Sequence, residues 1–249
     1  MKPQILKAIG IALLLPISAG HAPAATGAIV AQFGSPDDIP SEGLLVHYNF
    51  KHMSQAELHG KTEIQLTNAG LMQEALRING IYSMDRPDGC DVIINTPELD
   101  YSAFTVDLKF KAFKFSTYTP LLSGGEHRWF TLLRDPTGHL AIGFNSQAFI
   151  KPTQTFLTAN KWYTVVCSVN LKERMVMVFI DGREAARIAL PEDFALDIIG
   201  AKYQESDKTW SFKNTGGSTG RMFDGLIGEV AIYDRALLPD DCKKLSSRP

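Results

Sequence analysis

The sequence predicts an all-β protein, a sandwich of two antiparallel sheets, from three observations. Apolar and polar residues alternate over residues 104–110, which is the period of a strand with one buried face. Short apolar runs recur along the chain and are separated by turns rich in aspartate, proline and glycine. No stretch carries an amphipathic helical pattern of any length. About ten or more strands joined by short turns, with almost no helix, are typical of such a sandwich.

The first segment of the chain is typical of a secretory signal peptide. Lys2 and Lys7 accompany the start of an apolar run at residues 8–17, and small residues with an Ala-Pro-Ala pattern follow. The run is shorter than the about 20 residues that a membrane helix needs. We therefore expect a cleaved signal over residues 1–25 and a secreted or periplasmic protein without a transmembrane segment. A buried N-terminal helix is the alternative interpretation.

The next segment, residues 26–43, contains turn-formers and acids without apolar periodicity, which predicts a tether. The compact domain is expected over residues 44–249. A chain of 249 residues with 45% hydrophobic and 21% charged residues suits one large all-β domain with a sizeable core. The formal net charge is -2, and no basic stripe is present to neutralise phosphates. Nucleic acid is therefore not an expected partner.

Turn chemistry separates the strands within this domain. Residues 134–138 read Arg-Asp-Pro-Thr-Gly, a tight reversal that predicts a hairpin, and Asp181-Gly182 suits a turn with positive φ. Pro239 followed by two acids suits the first turn of a short helix at the end of the domain. The predicted strands are residues 44–50, 75–80, 104–110, 129–133, 139–144, 162–169, 175–180 and 226–233.

The cysteines limit how covalent bonds can stabilise this domain. Cys90, Cys167 and Cys242 form at most one internal disulfide, because their number is odd. Three cysteines in a chain of this length do not make a disulfide scaffold. The hydrophobic core must therefore hold the fold together.

Two segments resemble laminin-G-like domains. Residues 160–166 (Asn-Lys-Trp-Tyr-Thr-Val-Val), followed by 179–183 (Phe-Ile-Asp-Gly-Arg), resemble a characteristic hairpin of that family. Residues 223–237, from Phe-Asp-Gly-Leu-Ile-Gly-Glu-Val to Tyr-Asp-Arg-Ala-Leu, resemble its closing strand. Residues 74–80, 121–125 and the hairpin at Trp129 fit the family in the same order, so the resemblance covers about residues 44–245.

The resemblance implies a concanavalin A-like jelly roll of two antiparallel sheets. It also implies an extracellular location, recognition of carbohydrate or protein, and often a structural calcium ion. Gly228 stands where many bacterial members of the family have aspartate. The chain shares Cys167 with pentraxins, a more distant likeness, but has Asp107 where their disulfide partner falls, so that bridge cannot form.

Two sets of residues are candidates for binding. Gln204, Glu205 and Asp207 form the best local group of oxygen ligands for Ca²⁺. Glycan binding requires exposed aromatic rings beside hydrogen-bonding groups, and Tyr203, Trp210 and Asn214 form a candidate loop platform. In the alternative interpretation, Trp210 is buried in a short strand. We expect Trp162 to be an aromatic anchor in the core.

These patterns favour a non-catalytic recognition module that binds glycans or extracellular or cell-envelope proteins. The alternative is a carbohydrate-active enzyme, a glycoside hydrolase or polysaccharide lyase, on the same fold. The Glu-x-Asp-x-Glu strand of jelly-roll glucanases does not occur in the sequence, and Glu229 and Asp234 are five positions apart, on opposite faces of a regular strand. A third hypothesis is an adhesion protein that contacts only other proteins.

Overall fold

Two stacked antiparallel sheets form the fold in a computed structural model of the chain, which confirms the predicted all-β sandwich. The structure describes residues 39–53, 64–67, 70–72, 74–78, 91–96, 99, 101–124, 129–145, 149–196, 209–211 and 223–248. Within these ranges no helix is long and apolar enough to cross a membrane.

The strands in chain order are β1 (Leu44–Asn49), β2 (Ile64–Thr67), β3 (Gly70–Met72), β4 (Ala75–Ile78), β5 (Asp91–Asn95), β6 (Ala103–Lys114), β7 (Thr119–Gly124), β8 (Phe130–Arg134), β9 (His139–Phe144), β10 (Phe149–Phe156), β11 (Trp162–Asn170), β12 (Met175–Ile180), β13 (Arg183–Ala189), β14 (Thr209–Ser211) and β15 (Asp224–Tyr233). A 3₁₀ turn (Phe50–His52) follows β1, and helix α1 (Pro239–Ser246) follows β15. Sheet I has the order β13-β12-β11-β6-β15-β4-β3, with β1 also paired to β15. Sheet II has the order β10-β9-β8-β7-β14-β5-β2.

Each of the eight predicted segments contains a strand, but seven further strands among the described residues lie outside those segments. Strands β2 and β3 are only four and three residues long, too short to show a period. Strand β7 is buried along its whole length, so it lacks a polar face. Strand β10 contains Pro152, which a strand tolerates at the edge of a sheet, and β10 is the edge of sheet II.

The main core lies between the sheets. The apolar residues of β6, from Phe104 to Phe110, point into it and are fully buried. Trp210 and Trp129 meet edge to face there, with ring centroids 5.0 Å apart, and Phe104 lies 5.9 Å from Trp210. These large aromatic side chains contribute much of the apolar area that the sandwich buries.

A second apolar cluster covers the outer face of sheet I, beneath α1. Leu245 and Cys242 of the helix pack there on Val166 and Tyr233. Ile39 also belongs to this cluster and is buried, so the packed domain begins by residue 39 rather than at residue 44 as expected. The helix begins at Pro239 with two acids in its first turn, as predicted.

This second layer also changes the exposure of β6. Its alternating polar residues were expected to face solvent or a groove, but Thr105 and Asp107 are fully buried. Thr105 Oγ1 donates to the carbonyl oxygen of Arg235 and accepts from the backbone N–H of Leu237. Strand β6 is therefore buried on both faces over this stretch.

Cys167 and Cys242 are free thiols on opposite faces of sheet I. Cys167 belongs to the core between the sheets, and Cys242 to the cluster beneath the helix. Burial raises the pKa of both thiols, that of Cys242 to about 12. Cys90 lies outside the described residues.

Candidate functional site

The ligand-binding residues expected from sequence separate into two groups. Tyr203, Gln204, Glu205, Asp207 and Asn214 lie outside the described residues, so the calcium set and most of the loop platform stay predictions. In the described ranges, no group of three or more histidine, cysteine, aspartate or glutamate side chains could hold a metal ion.

Two tryptophans differ in exposure from what the sequence suggested: Trp210 is buried and Trp162 is partly exposed. Trp210 lies in β14 with 1% of its surface exposed, so the alternative of a buried strand is correct and its assignment to an exposed platform is wrong. Trp162 was expected in the core, yet it is 37% exposed. Its position at the start of β11 puts the indole on the outer face of sheet I, beyond the area that α1 covers.

A cleft of about 480 Å³ lies at one edge of the sandwich, between the edge strands of the two sheets. Strand β10 of sheet II forms one wall, and the turn from β12 into β13 of sheet I forms the other. Its walls combine an aromatic ring with charged and polar side chains: Gln154, Thr155, Phe156, Lys161, Asp181, Arg183 and Glu184. We call this feature the edge cleft.

Phe156 is the exposed aromatic side chain of the edge cleft, with 54% of its surface accessible. The hairpin between β8 and β9 supports the ring from one side. His139 meets it edge to face with centroids 5.6 Å apart, and the Arg134 guanidinium lies 5.9 Å from its centre. A Cβ atom at Gly138 would approach the ring to 2.2 Å, so the ring packs directly on this glycine. The ring is thus fixed in place while part of it faces solvent.

Asp135 fixes the turn that carries Gly138. Its Oδ1 accepts hydrogen bonds from the Thr137 hydroxyl at 2.7 Å and from the backbone N–H of His139 at 2.9 Å. Burial acts to raise the pKa of Asp135, but these hydrogen bonds outweigh it and the pKa is lowered. The ionised carboxylate therefore stabilises the turn.

The floor and rim of the edge cleft are polar. Tyr163 lies at the floor, and its hydroxyl accepts from the backbone N–H of Thr158 at 2.9 Å. The Lys161 ammonium lies 4.5 Å from the centre of the Tyr163 ring and 3.4 Å from an Asp181 carboxylate oxygen. These contacts pre-position donors and acceptors around the aromatic ring.

Two further charged residues lie on the rim, Glu184 and Arg183, and only Glu184 has an ion-pair partner among the described residues. Glu184 accepts two hydrogen bonds from Arg187, at 2.9 and 2.7 Å. Arg183 is exposed and makes no ion pair with any residue that the structure describes. Its guanidinium is therefore available as a donor to a bound anion or hydroxyl.

Sequence reasoning did not identify the edge cleft. Phe156 ends a strand whose pattern is interrupted by Pro152, and an aromatic residue there is more often expected in a core. The exposed ring and the polar rim come from segments that are distant in sequence. The turn residues 134–138 were the one local signal, and they were interpreted only as a hairpin.

A buried charge cluster lies on the outer face of sheet I, between α1 and Trp162. It consists of His47, Asp107, Glu229 and Arg248. Arg248 donates to Glu229 Oε1 at 2.6 Å and also to Asp107, while His47 Nε2 lies 2.7 Å from Glu229 Oε1. Burial acts to raise the pKa of Glu229, but His47 and Arg248 outweigh it and lower the pKa.

Asp107 behaves differently within the same cluster. It is fully buried, and its Oδ1 has no hydrogen-bond partner in the described part of the chain. Burial therefore outweighs Arg248 and raises its pKa to about 7. The cluster is closed to solvent, so we assign it to stability rather than to ligand binding.

Comparison with known families is consistent with this architecture. The family model Laminin_G_3, described as the concanavalin A-like lectin/glucanases superfamily, matches residues 88–243. No curated protein matches the chain.

Solved structures of similar fold come from larger proteins. A Trypanosoma rangeli sialidase superposes with a TM-score of 0.59 at 17% identity, covering 84% of this chain and 33% of the sialidase. A botulinum neurotoxin type C structure superposes with a TM-score of 0.53 at 15% identity, covering 74% of this chain and 44% of that one. The serotype D binding domain gives a TM-score of 0.54 at 16% identity, covering 74% and 46%. The chain spans less than half of each, and identities this low show the fold alone.

Proposed function

The chain belongs to the concanavalin A-like lectin/glucanases superfamily, and we propose that it is a glycan-recognition module that binds sugar in the edge cleft. The observation that carries the proposal is the Phe156 ring, 54% exposed and supported from behind by Gly138, Arg134 and His139. A fixed, accessible aromatic face can stack on the apolar face of a sugar ring without losing much side-chain entropy on binding.

The polar rim supports the same function. Gln154 and Thr155 stand beside Phe156, while Lys161 and Arg183 face it from sheet I. Sugar hydroxyls require several donors and acceptors around one apolar contact, which is the usual composition of a small-ligand site. The cleft volume of about 480 Å³ lies within the range of small-ligand sites, roughly 300–1,000 Å³.

The solved structures of similar fold suggest which sugars to test first. The T. rangeli sialidase has been solved in complex with sialic acid, and cell entry of the type C neurotoxin depends on interaction with two ganglioside molecules. Arg183 could form a bidentate pair with a sugar carboxylate. Sialyllactose is therefore included beside neutral oligosaccharides.

The experiment is a thermal melt of the purified protein with sialyllactose and with cello-, manno-, chito- and galacto-oligosaccharides, followed by calorimetric titration of any that shift the melting temperature. A ligand at 100 times its Kd adds about 2.7 kcal/mol to the stability of the folded state. For a chain of this size, this raises the Tm by several degrees. We expect at least one sugar to produce such a shift.

Two variants locate the site of that binding. Phe156→Ala is expected to weaken the affinity by about tenfold, while Phe156→Tyr keeps the ring and most of the affinity. Leu238→Ala is the matched control, since Leu238 is also exposed, at 65%, but lies beside α1. Equal affinity of Phe156→Ala and the unaltered protein would exclude the edge cleft as the site. Product release from the same sugars would favour the enzyme hypothesis instead.

A further inference from the structure

We propose that the outer face of sheet I carries a second binding surface, for an acidic polysaccharide. We call it the cationic strip; it comprises Arg77, Lys109, Lys111, Phe113, Lys114 and Trp162. None of these residues lines the edge cleft, so the proposal does not depend on that site.

Strand register brings these residues together. Lys111 of β6 lies opposite Trp162 of β11 on one side and Leu226 of β15 on the other. Leu226 in turn lies opposite Arg77 of β4. Lys109, Lys111 and Phe113 point outward at alternate positions of β6, about 6.8 Å apart at the usual rise of a strand. The strip therefore crosses four neighbouring strands of one sheet.

Each aromatic ring of the cationic strip lies beneath a cation. The Lys109 ammonium is 5.8 Å from the centre of the Trp162 ring, and the Lys111 ammonium is 5.9 Å from that of Phe113. The Arg77 guanidinium lies 4.9 Å from the Phe113 ring. These distances fall within the range of cation–π contact. Rings and charges thus form one continuous surface.

Gly228 sets the position of the indole. A Cβ atom there would lie 3.3 Å from the Trp162 ring and 3.4 Å from the Lys109 side chain. Without that Cβ atom the indole and the lysine stem pack directly on the backbone of β15. Trp162 remains 37% exposed, so a ligand can reach its ring.

The cationic strip and the buried charge cluster together carry a net charge opposite in sign to that of the whole protein. Together with the buried charge cluster, the strip contains five arginine and lysine side chains against three carboxylates. Asp107 and Glu229 are held by Arg248, and Asp224 is shared between Arg77 and Lys114 at 2.6 and 3.6 Å. The surplus is two positive charges on one face of a chain whose net charge is -2. Charge complementarity therefore favours a polyanion.

The combination of rings and cations favours an acidic polysaccharide over other polyanions. Sugar rings can pack on Trp162 while acid groups pair with Lys111 and Lys114. A surface that inserts into a bilayer presents several large apolar groups, whereas Trp162 is the only strip residue among the exposed large apolar side chains of the described ranges. Nucleic acid would require more cations to neutralise its closely spaced phosphates.

The test is the mobility of the protein in native gels that contain polygalacturonate, with neutral dextran as the comparison. We expect retardation by polygalacturonate alone, and its loss in about 1 M NaCl, where the screening length is about 3 Å. Lys111→Glu should weaken the binding by about tenfold or more, since a like charge opposes the ligand. Lys172→Glu makes the same change of charge at the exposed turn between β11 and β12, and serves as the matched control.

The outcomes separate this proposal from that of the edge cleft. Trp162→Ala should weaken polygalacturonate binding, while Phe156→Ala should leave it unchanged. Absence of retardation would overturn the proposal, as would an equal effect of Lys111→Glu and Lys172→Glu. Equally tight binding of phosphatidylserine vesicles or duplex DNA would also overturn it, because the surface would then be a general anion binder.

Discussion

Arg248 donates a hydrogen bond to the buried carboxylate of Asp107, although 141 positions separate the two residues in the chain. Burial is the largest influence on this carboxyl group and raises its pKa from 3.8 to about 7, against the charges of Arg248 and Lys109. Between these two pH values, the folded protein therefore binds more protons than the unfolded chain. The stability that Asp107 contributes is present below pH 3.8 and is lost as the pH rises through about 7.

Asp107→Asn should remove this pH dependence. Asparagine has nearly the same size and still offers an oxygen to Arg248, but it does not ionise. The free energy of unfolding of the variant, minus that of the unaltered protein, should rise from about pH 4 to about pH 7 by at most about 4 kcal/mol, at 1.36 kcal/mol per pKa unit. Urea denaturation at several pH values measures this difference. A difference that does not change with pH would contradict the assignment.

Gly225→Ala should destabilise the protein by about 1–3 kcal/mol or more, because the new methyl group meets backbone atoms that cannot move easily. Its Cβ atom would lie 2.2 Å from the carbonyl oxygen of Lys111 and 2.9 Å from the Cα of Ala112. Gly228→Ala is the matched control on the same strand, where the Cβ atom meets only side chains, at 3.3 Å or more. Chemical denaturation should show a change within about 0.5 kcal/mol for this control. An equal loss of stability in Gly225→Ala and Gly228→Ala would show that the close approach of the backbone does not explain the glycine at position 225.

The three tryptophans should differ in their access to solvent. Trp129 and Trp210 are 2% and 1% exposed, whereas Trp162 is 37% exposed. Acrylamide should therefore quench one component of the fluorescence, and Trp162→Phe should abolish that component. Strong quenching that persists in Trp162→Phe would contradict the burial of the other two rings.

Trp210→Ala should lower the free energy of unfolding by about 3–5 kcal/mol, measured by urea denaturation, since it empties the centre of the aromatic core.

The thiols of Cys167 and Cys242 should be unreactive in the native protein and free after unfolding. Both are buried, and burial raises their pKa, so little thiolate forms near neutral pH. In a Cys90→Ser variant, a thiol reagent should detect no thiol before denaturation and two after it, without added reductant. Detection of none after denaturation would show that the two cysteines are bonded to each other or to another thiol.

The strands with alternating sequence could be predicted because a strand with one buried face has a period of two. The alternation at residues 104–110 identified β6, and the Asp-Gly at 181–182 identified the turn after β12. The edge strand β13 could not be predicted in this way, because neither of its faces is fully buried. Strand β7 could not be predicted for the opposite reason: all six of its residues are buried, so its sequence does not alternate.

The candidate sites could not be predicted in the same way, since exposure depends on what packs against a strand. Trp162 and Trp210 both follow strand-like patterns, yet one lies on the outer face of sheet I and the other in the core. Phe156 is held in an accessible position because its ring packs on the turn at Gly138. These contacts join residues that are distant in sequence, and no local pattern reports them.

Local sequence patterns predict the all-β class, the order of the main hairpins and the short helix that begins at Pro239. These features follow from local properties, namely side-chain period, turn conformation and the preferences of a helix terminus. The burial of polar residues and the accessibility of aromatic rings depend instead on tertiary packing. Asp107 occupies a solvent-type position in the alternation of β6, yet α1 and Arg248 cover it completely. Burial depends on the second layer that packs on a strand, and the strand's own sequence does not encode that layer.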